Sequence, residues 1–520
     1  MNGTILADPQ NKPSDGTENQ KQILNNSSKK QIVEIHKLPE IEEMKMGNRS
    51  SDTSKENLNE LISSNRITNS LMKVPEVKRI WKGLNIFSAA DCILLRPINP
   101  PDVTIGVSKN HVAQMVHNSI EVWDKTGRPL MKQSLYDFFN ISRNHYITDP
   151  MMLYDNTSGN WFATIVDGGE NRVENGLSYW SCKPLCKVIL AKSNNDNPMK
   201  NLTLVEINST QSDFFPDEPK ISVNKFNLFM TTTEFNITDP EKNIFVAYLI
   251  DKGLESFFEN SDNRILPLQW PNQHFAVPDS FPSDCTTTVA LVKDDPTEMY
   301  SNSSSIQVLD YCNSEYAGSP IGPMEVKLPE VSKIVPARNL EDLITETDLK
   351  ISSAIRDNQS VWIAVQAACQ PQEISSNSCV RVLKIENTTT QGNESYSLAE
   401  DMNFHTNKTD LYYPTLAISK DKNLFLMTGF SNSWTFPSLS ISQIVSKNET
   451  LDLYTVFGSY INNSTRYGDY FGSAIDPVDG SVWLSGQYVD QSISIPVPRV
   501  FANIESIRER TWSTIIANVS

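Results

Sequence analysis

Near its C-terminus the chain reads RYGDYFGSAIDPVDGSVWLSGQY, from Arg466 to Tyr488. Its head sets Arg466, Tyr467, Asp469 and Tyr470 side by side, a cation and a carboxylate among phenol rings. Such groups, converging in a concavity, bind polar ligands. The tail reads as architecture. In AIDPVDGSVW, Asp476 and Asp479 are turn formers and Gly480 eases the chain reversal. A structural Ca²⁺ at that turn would need six or more oxygens; no other cofactor is expected. Elsewhere the sequence holds no G-x-S-x-G elbow, no H-E-x-x-H, no P-loop and no G-x-G-x-x-G after a strand. Histidines 36, 111, 117, 145, 274 and 405 are too scattered to propose a metal triad. His111 and His117 would face the same side of a regular strand, one of them lining a pocket or the core.

The cysteines carry more information. Cys182 and Cys186 sit in CKPLC, Cys285 and Cys312 flank one segment, and Cys369 and Cys379 another, leaving Cys92 alone. Three local pairs are read as short disulfide clips of an exported protein. Zinc would need a second Cys/His pair at finger spacing beside CKPLC, and none is present. Asn-x-Ser/Thr sequons recur, among them Asn140, Asn201, Asn236, Asn302, Asn387, Asn407 and Asn463, in keeping with an extracellular glycoprotein. The N-terminus shows no signal peptide. No apolar run is long enough for a transmembrane helix. With 62 acidic against 45 basic residues the net charge is −17. Nucleic acid, which is held by Lys and Arg, is thereby disfavoured, as is an anionic membrane surface.

These residues must be positioned by something, and the chain's rhythm says what. Residues 1–73 are polar and nearly free of aromatics, a disordered tail or tether that cannot bury enough apolar surface to offset its ordering entropy. Trp81 marks the start of the folded body. From there, short alternating runs of Val, Ile, Thr, Tyr and Phe are split by Asn, Asp, Gly and Ser, which is all-β patterning. One hairpin recurs: MLYDNTSGNWFA, KISVNKFNLFM, SAIRDNQSVWIA, LAISKDKNLFLM and SAIDPVDGSVWL. Each is an apolar arm, a polar turn, then an aromatic opening the return arm: Trp161, Phe229, Trp362, Phe425 and Trp483. Their spacing is about 60 residues, with one interval double, where SDCTTTVALVKDD supplies a degenerate unit. Another unit precedes Trp161. A fixed period in an all-β chain means a β-propeller or a solenoid. We expect a propeller over residues 80–520 with seven blades of four antiparallel strands, six being the alternative count.

The ordered set PPDVTIGVSKNHVAQMVHNSIEVWDKTG, DPMMLYDNTSGNWFA, VILAKSNNDNP, YYPTLAIS, RYGDYFGSAIDP and WSTIIANV resembles a family of secreted bacterial and archaeal sialidase-like β-propellers, largely uncharacterised. The resemblance implies the fold and an exported setting. Sialidase chemistry would ask more: a tyrosine nucleophile, an acid/base Asp and three arginines forking onto a carboxylate. Arginines here are sparse, with Arg96, Arg356, Arg381 and Arg466 the candidates.

In a propeller, segments preceding the inner strands gather at the rim of the central channel. Tyr412 and Tyr413 of YYP enter at the same offset as RYGDYF. Asp102, His111 and Gln114 enter from the first blade, adjacent to the last in a closed ring. The expectation is a binding or scaffolding module whose glycan, peptide or protein ligand meets Asp102, His111, Gln114, Tyr412, Tyr413, Arg466, Tyr467, Asp469 and Tyr470. The alternative function is a carbohydrate-active enzyme. For the residues themselves, the competing reading has Arg466 and Asp469 bracing a tight turn and the tyrosines packing between blades.

Overall fold

The structure of the chain, a computed structural model, describes residues 75–86, 100–174, 177–181, 185–237, 239, 243–252, 265–270, 274–278, 284–294, 302–312, 321–332, 337–339, 342–343, 350–357, 360–369, 377–388, 395–406, 408–447, 449–459, 467–490 and 512–520. The expected tail, Cys92, Arg96 and Arg466 lie outside these.

The described residues form seven antiparallel blades, each with four strands on its main path. Blade 1 runs outward through Thr104–Val107, His111–Val116, Ser119–Asp124 and Pro129–Ser134. Blade 2 uses His145–Asp155, Asn160–Glu174, Lys187–Ser193 and Leu202–Asn208, with Leu177–Ser181 paired beside the second. Blade 3 follows through Phe214–Val223, Asn227–Asn236, Ile244–Asp251 and Ile265–Trp270. Blade 4 comprises His274–Val277, Cys285–Lys293, Ser303–Cys312 and Ile321–Ser332. Blade 5 comprises Ile351–Asp357, Ser360–Ala368, Ser378–Asn387 and Tyr396–Phe404. Blade 6 comprises Asp410–Ile418, Leu424–Ser431, Ser438–Ser446 and Glu449–Val456. Blade 7 takes Gly472–Ile475, Val482–Tyr488 and Ser513–Val519 from the C-terminal part of the chain and its outer strand, Val77–Asn85, from the N-terminal part. Each inner strand touches the next, and that of blade 7 touches that of blade 1, so the ring closes.

The seven-blade reading holds, including the degenerate unit and the one that precedes Trp161. SDCTTTVALVKDD contributes the second strand of blade 4. The recurring aromatics all open second strands, opposite inner-strand residues: Tyr154 faces Trp161, Ser222 Phe229, Ile355 Trp362, Ala417 Phe425 and Ala474 Trp483. Middle strands such as Val482–Tyr488 and Ser513–Val519 are buried throughout, because neighbouring blades cover both faces. The outer strand Glu449–Val456 is mostly exposed and charged at its start, as an unpaired edge in water requires. Trp81 does belong to the body, as outer-strand residue of the last blade, where its ring meets Trp483 edge-on at 5.3 Å.

Cys369 and Cys379 are bridged, with Cα atoms 5.0 Å apart across the mouth of a loop in blade 5. Cys186 and Cys285 are each disulfide-bonded as well. Cys285 lies directly opposite Cys312 in the ladder of blade 4; Cys182 lies outside the described residues. No helix among the described residues is long and apolar enough to cross a membrane.

Candidate functional site

All seven inner strands line a cavity of about 220 Å³ on the ring axis. Thr104, Ser352, Ser353, Ser473 and Thr415, with Asp155, Asn156, Thr157 and Asn224, interrupt an apolar wall that includes Val103, Ile105, Met151, Leu153 and Phe471. Tyr470 and Lys220 line it too. The Lys220 ammonium lies 4.0 Å from the Tyr470 ring centroid and 5.7 Å from that of Phe275, and the Tyr470 hydroxyl donates to the Pro150 carbonyl (3.0 Å). Hydrogen-bonded and stacked in this way, Tyr470 adjoins both the cavity and a group of carboxylates where the inner strands begin.

Those carboxylates come from four blades. Asp102, Asp149 and Asp469 each bring an oxygen within 4.8 Å of the others, and all three are buried. Asp217 and Glu218 of blade 3 are half-buried beside them. The Glu218 amide faces Asp149 Oδ2 at 3.5 Å, and Asp217 and Asp149 share a hydrogen bond. Lys350, at the start of blade 5, pairs with Glu218 and lies 4.0 Å from Asp469 Oδ1. Lys220 Nζ stands 3.7 Å from Glu218 Oε2. His117 Nδ1 lies 3.3 Å from Asp102 Oδ2.

Local backbone explains the convergence. Asp102, Asp149, Glu218 and Tyr413 have φ of 49°, 53°, 44° and 49°, in the left-handed region that non-glycine residues avoid. In blades 2, 3 and 6 the ladder slips where these residues sit, between Thr148 and Met151, Asp217 and Lys220, and Tyr412 and Thr415. Bulges of this kind re-aim side chains, and strained residues gather at functional sites.

Burial dominates the electrostatics. It pushes Asp102 up to about 7, with the Asp469 charge adding to the effect and His117 opposing it. Burial, then Asp149 and Glu218, raise Asp217 well above the usual carboxylate range. Asp149 is also raised by burial, less because Asp217 donates to it. For His117 burial alone would lower the pKa; the Asp102 hydrogen bond and charge outweigh it and hold the imidazole above its ordinary value. These shifts share one sign in stability. An acid raised in the folded state binds more protons folded than unfolded between its ordinary and its shifted pKa, so stability falls as pH rises through that window. The histidine's contribution is likewise present at low pH and lost as pH rises through its folded pKa. In chelating buffer we therefore expect the melting temperature to fall from pH 5 to pH 8. Asp102→Asn should flatten the pH 5–7 slope by about one proton, or about 1.4 kcal/mol per pH unit. A melting temperature that is flat or rises with pH would contradict this electrostatic picture.

The structure divides the residues singled out from the sequence. Asp102, Asp469 and Tyr470 meet at this end of the channel. His111 does not: it lies at the opposite end of its strand from His117, against Asp196 Oδ2 at 2.9 Å. His117 is the histidine that reaches Asp102. Gln114 is buried at the seam of blades 1 and 7, donating to Ser485 Oγ (2.6 Å) and Thr514 Oγ1 (3.0 Å) while accepting from the Leu84 amide (2.8 Å). Tyr412, Tyr413 and Tyr467 pack as edge-to-face rings in the core between blades 6 and 7; the Tyr413 hydroxyl accepts from the Gly468 amide (3.2 Å). At the Asp476 turn, Lys125 and the Trp483 indole hold Oδ2 at 2.5 and 3.0 Å. Lys125 thus pairs with the carboxylate of the turn. Arg356 pairs with Asp310 at 3.6 Å, and Arg381 grips Asp401 through two nitrogens at 2.9 and 2.6 Å. Both are engaged within blades 4 and 5.

The sequence reading passes over Asp149, Asp217, Glu218, Lys220 and Lys350, and names His117 only as one of a pair, one member of which lines a pocket or the core. The signal was present as TDP, DEP and YYP immediately before the repeating apolar arm; aligning only the arms and turns left it unread.

No family model matches the chain, and no curated protein does. Among solved structures it is similar to a Hadza microbial sialidase, at 9% identity over 66% of this chain with a TM-score of 0.37; the match spans 65% of that protein's length. It is also similar to the N-terminal domain of Nup159, at 10% identity over 85% of this chain and 94% of that one, with a TM-score of 0.36. A Trypanosoma rangeli sialidase matches at 8% identity over 80% of this chain and 57% of its own, with a TM-score of 0.36.

Proposed function

We propose that this chain is an extracellular or cell-surface binding propeller whose ligand, a glycan, peptide or protein, docks where the inner strands begin. The observation that carries this reading is the gathering of Asp102, Asp149, Asp217, Glu218 and Asp469 with Lys350 and Lys220 at one end of the channel. Three blades spend strained or bulged backbone to put charge there, at Asp102, Asp149 and Glu218, and a blade's own apolar core needs none of it. The buried carboxylates form the floor, while half-buried Asp217, Glu218 and Lys350 offer the reachable acceptors and donor. Hydroxyl-rich and amide-rich ligands match such a mix. The disulfide of blade 5 supports an oxidising compartment. Residues 1–73 would serve as the tether.

Tyr470 is too deeply built into the channel to report on binding, so the test uses the rim. The wild-type protein and the variants Glu218→Gln and Lys350→Ala are screened on glycan and peptide arrays. Hits of the wild type should weaken at least about tenfold in both variants, since each loses a charge-assisted hydrogen bond worth about 1.5–3 kcal/mol. Wild-type hits retained at full strength by both variants would move the binding surface elsewhere.

A second reading, a carbohydrate-active enzyme, is favoured by one observation. Asp102, held at about 7 beside further carboxylates, has the pKa of a general acid at neutral pH. Turnover of aryl glycosides that Asp102→Asn abolishes would establish it; no turnover across pH 4–8 on a broad glycoside panel would remove it.

A further inference from the structure

From the same cluster we infer that Asp102, Asp149 and Asp469 form a divalent-cation site, with Ca²⁺ the best-suited ion. The first observation is spacing. Three oxygens all within 4.8 Å of one another share a point no more than about 2.8 Å from each, close to the 2.3–2.6 Å of Ca²⁺–oxygen bonds. Side-chain adjustments of a few tenths of an ångström would complete the contact.

The second observation is an unused acceptor. Asp102 is 1% exposed, and its Oδ1 has no hydrogen-bond partner although Oδ2 faces His117. Buried carboxylate oxygens are costly without a donor or a cation. The charges around it point the same way. Five carboxyl groups, Asp102, Asp149, Asp217, Glu218 and Asp469, stand against the ammonium groups of Lys220 and Lys350 and the imidazole of His117. Both lysines lie nearest Glu218, and Lys350 reaches Asp469 only at 4.0 Å.

The donor set is all oxygen, which selects hard cations over zinc or copper. Its three members enter from blades 7, 1 and 2. A bound ion would therefore pin the seam where the last blade meets the first, and would stabilise the ring as well as occupy it. This inference is independent of the ligand reading, because occupancy is measured with no glycan or peptide present.

The test uses the full chain, stripped with EDTA and transferred to chelator-free buffer. Ca²⁺ is titrated by calorimetry and by thermal melting. Tb³⁺ is titrated through tyrosine-sensitised emission, since Tyr470 and Tyr146 lie beside the carboxylates. We expect one saturable site per chain and a rise in melting temperature of about 5 °C or more at saturating Ca²⁺. Asp102→Asn and Asp469→Asn should each weaken Tb³⁺ at least about tenfold, whereas Asp479→Asn at the surface turn should leave it unchanged. Wild-type protein that shows neither a calorimetric site nor a melting shift would overturn the inference whatever the variants do. So would undiminished Tb³⁺ affinity in variants whose near-ultraviolet circular dichroism matches the stripped wild type.

Discussion

A chain lacking residues 1–86 is expected to lose the closed ring: it should be recovered as aggregate, or melt at least about 15 °C below the full chain. The deleted part contains Val77–Asn85, which supplies the outer strand of blade 7 and pairs with Ser513–Val519 along its length. It buries Leu84 and Ile86 almost completely and sets Trp81 against Trp483. Each fully buried large apolar side chain is worth about 1.5–3 kcal/mol. The strand also ties the seam through polar groups: the Leu84 amide donates to Gln114, and Thr514 Oγ1 donates to the Leu84 carbonyl at 2.6 Å. Without it, Gln114 loses one of its two donors, the Thr514 hydroxyl remaining at 3.1 Å, and Ser513–Val519 becomes a bare apolar edge prone to intermolecular pairing. The summed loss approaches the whole stability of an ordinary domain, about 5–15 kcal/mol. A second truncation lacking only residues 1–73 supplies the contrast and should melt with the full chain. Thermal melting and size-exclusion chromatography of the two truncated chains decide the matter. Equal melting temperatures for both would show that the N-terminal strand is dispensable to closure.

Lys220→Met should destabilise the protein by about 3–5 kcal/mol at pH 8 and by clearly less at pH 5. Lys220 is 5% exposed, held between the rings of Tyr470 and Phe275, with Glu218 at 3.7 Å and Asp149 within its electrostatic reach. Methionine keeps most of the volume and the contact with the rings, so the loss isolates the charge. Removing one partner of a buried ionic group leaves the others uncompensated, which is the costly case. Lowering the pH lets the raised carboxyls take up protons and remove part of the repulsion, so the deficit shrinks. Urea denaturation at the two pH values measures both figures. A variant as stable as wild type at pH 8 would mean that the carboxylates there are already neutralised by protons or by a bound cation. Repeating the measurement with Ca²⁺ and with chelator separates those two cases.

The architecture was legible in the local pattern of residues. The hairpin with its returning aromatic, repeated at about 60-residue intervals, demanded one supersecondary unit used many times. An all-β chain in which each sheet is buried on both faces by its neighbours closes into a ring of blades. Period and pattern are local properties, so MLYDNTSGNWFA or SAIDPVDGSVWL could be recognised with no partner in view. The cysteine spacing was legible in the same way, and the Cys369–Cys379 bridge spans a loop that is short in sequence. Asp469 and Asp102 were legible as neighbours once a ring was assumed, because closure sets the last inner strand beside the first.

Which side chains face the axis emerges only when the blades pack against one another. Tyr413 and Glu218 share a strained φ and a following proline. Yet one ring turns into the core between blades 6 and 7, while the other side chain turns to Lys350 and Lys220. Both strands carry the same entry bulge, between Asp217 and Lys220 and between Tyr412 and Thr415, so the packing of the neighbouring blades is what sends the two side chains different ways. His111 and His117 show the same limit. Strand direction carries the first to a surface contact with Asp196 and the second to buried Asp102. Asp102, Asp149 and Asp217 come from three different blades, and their raised or shared protons exist only because folding withdraws them from water together.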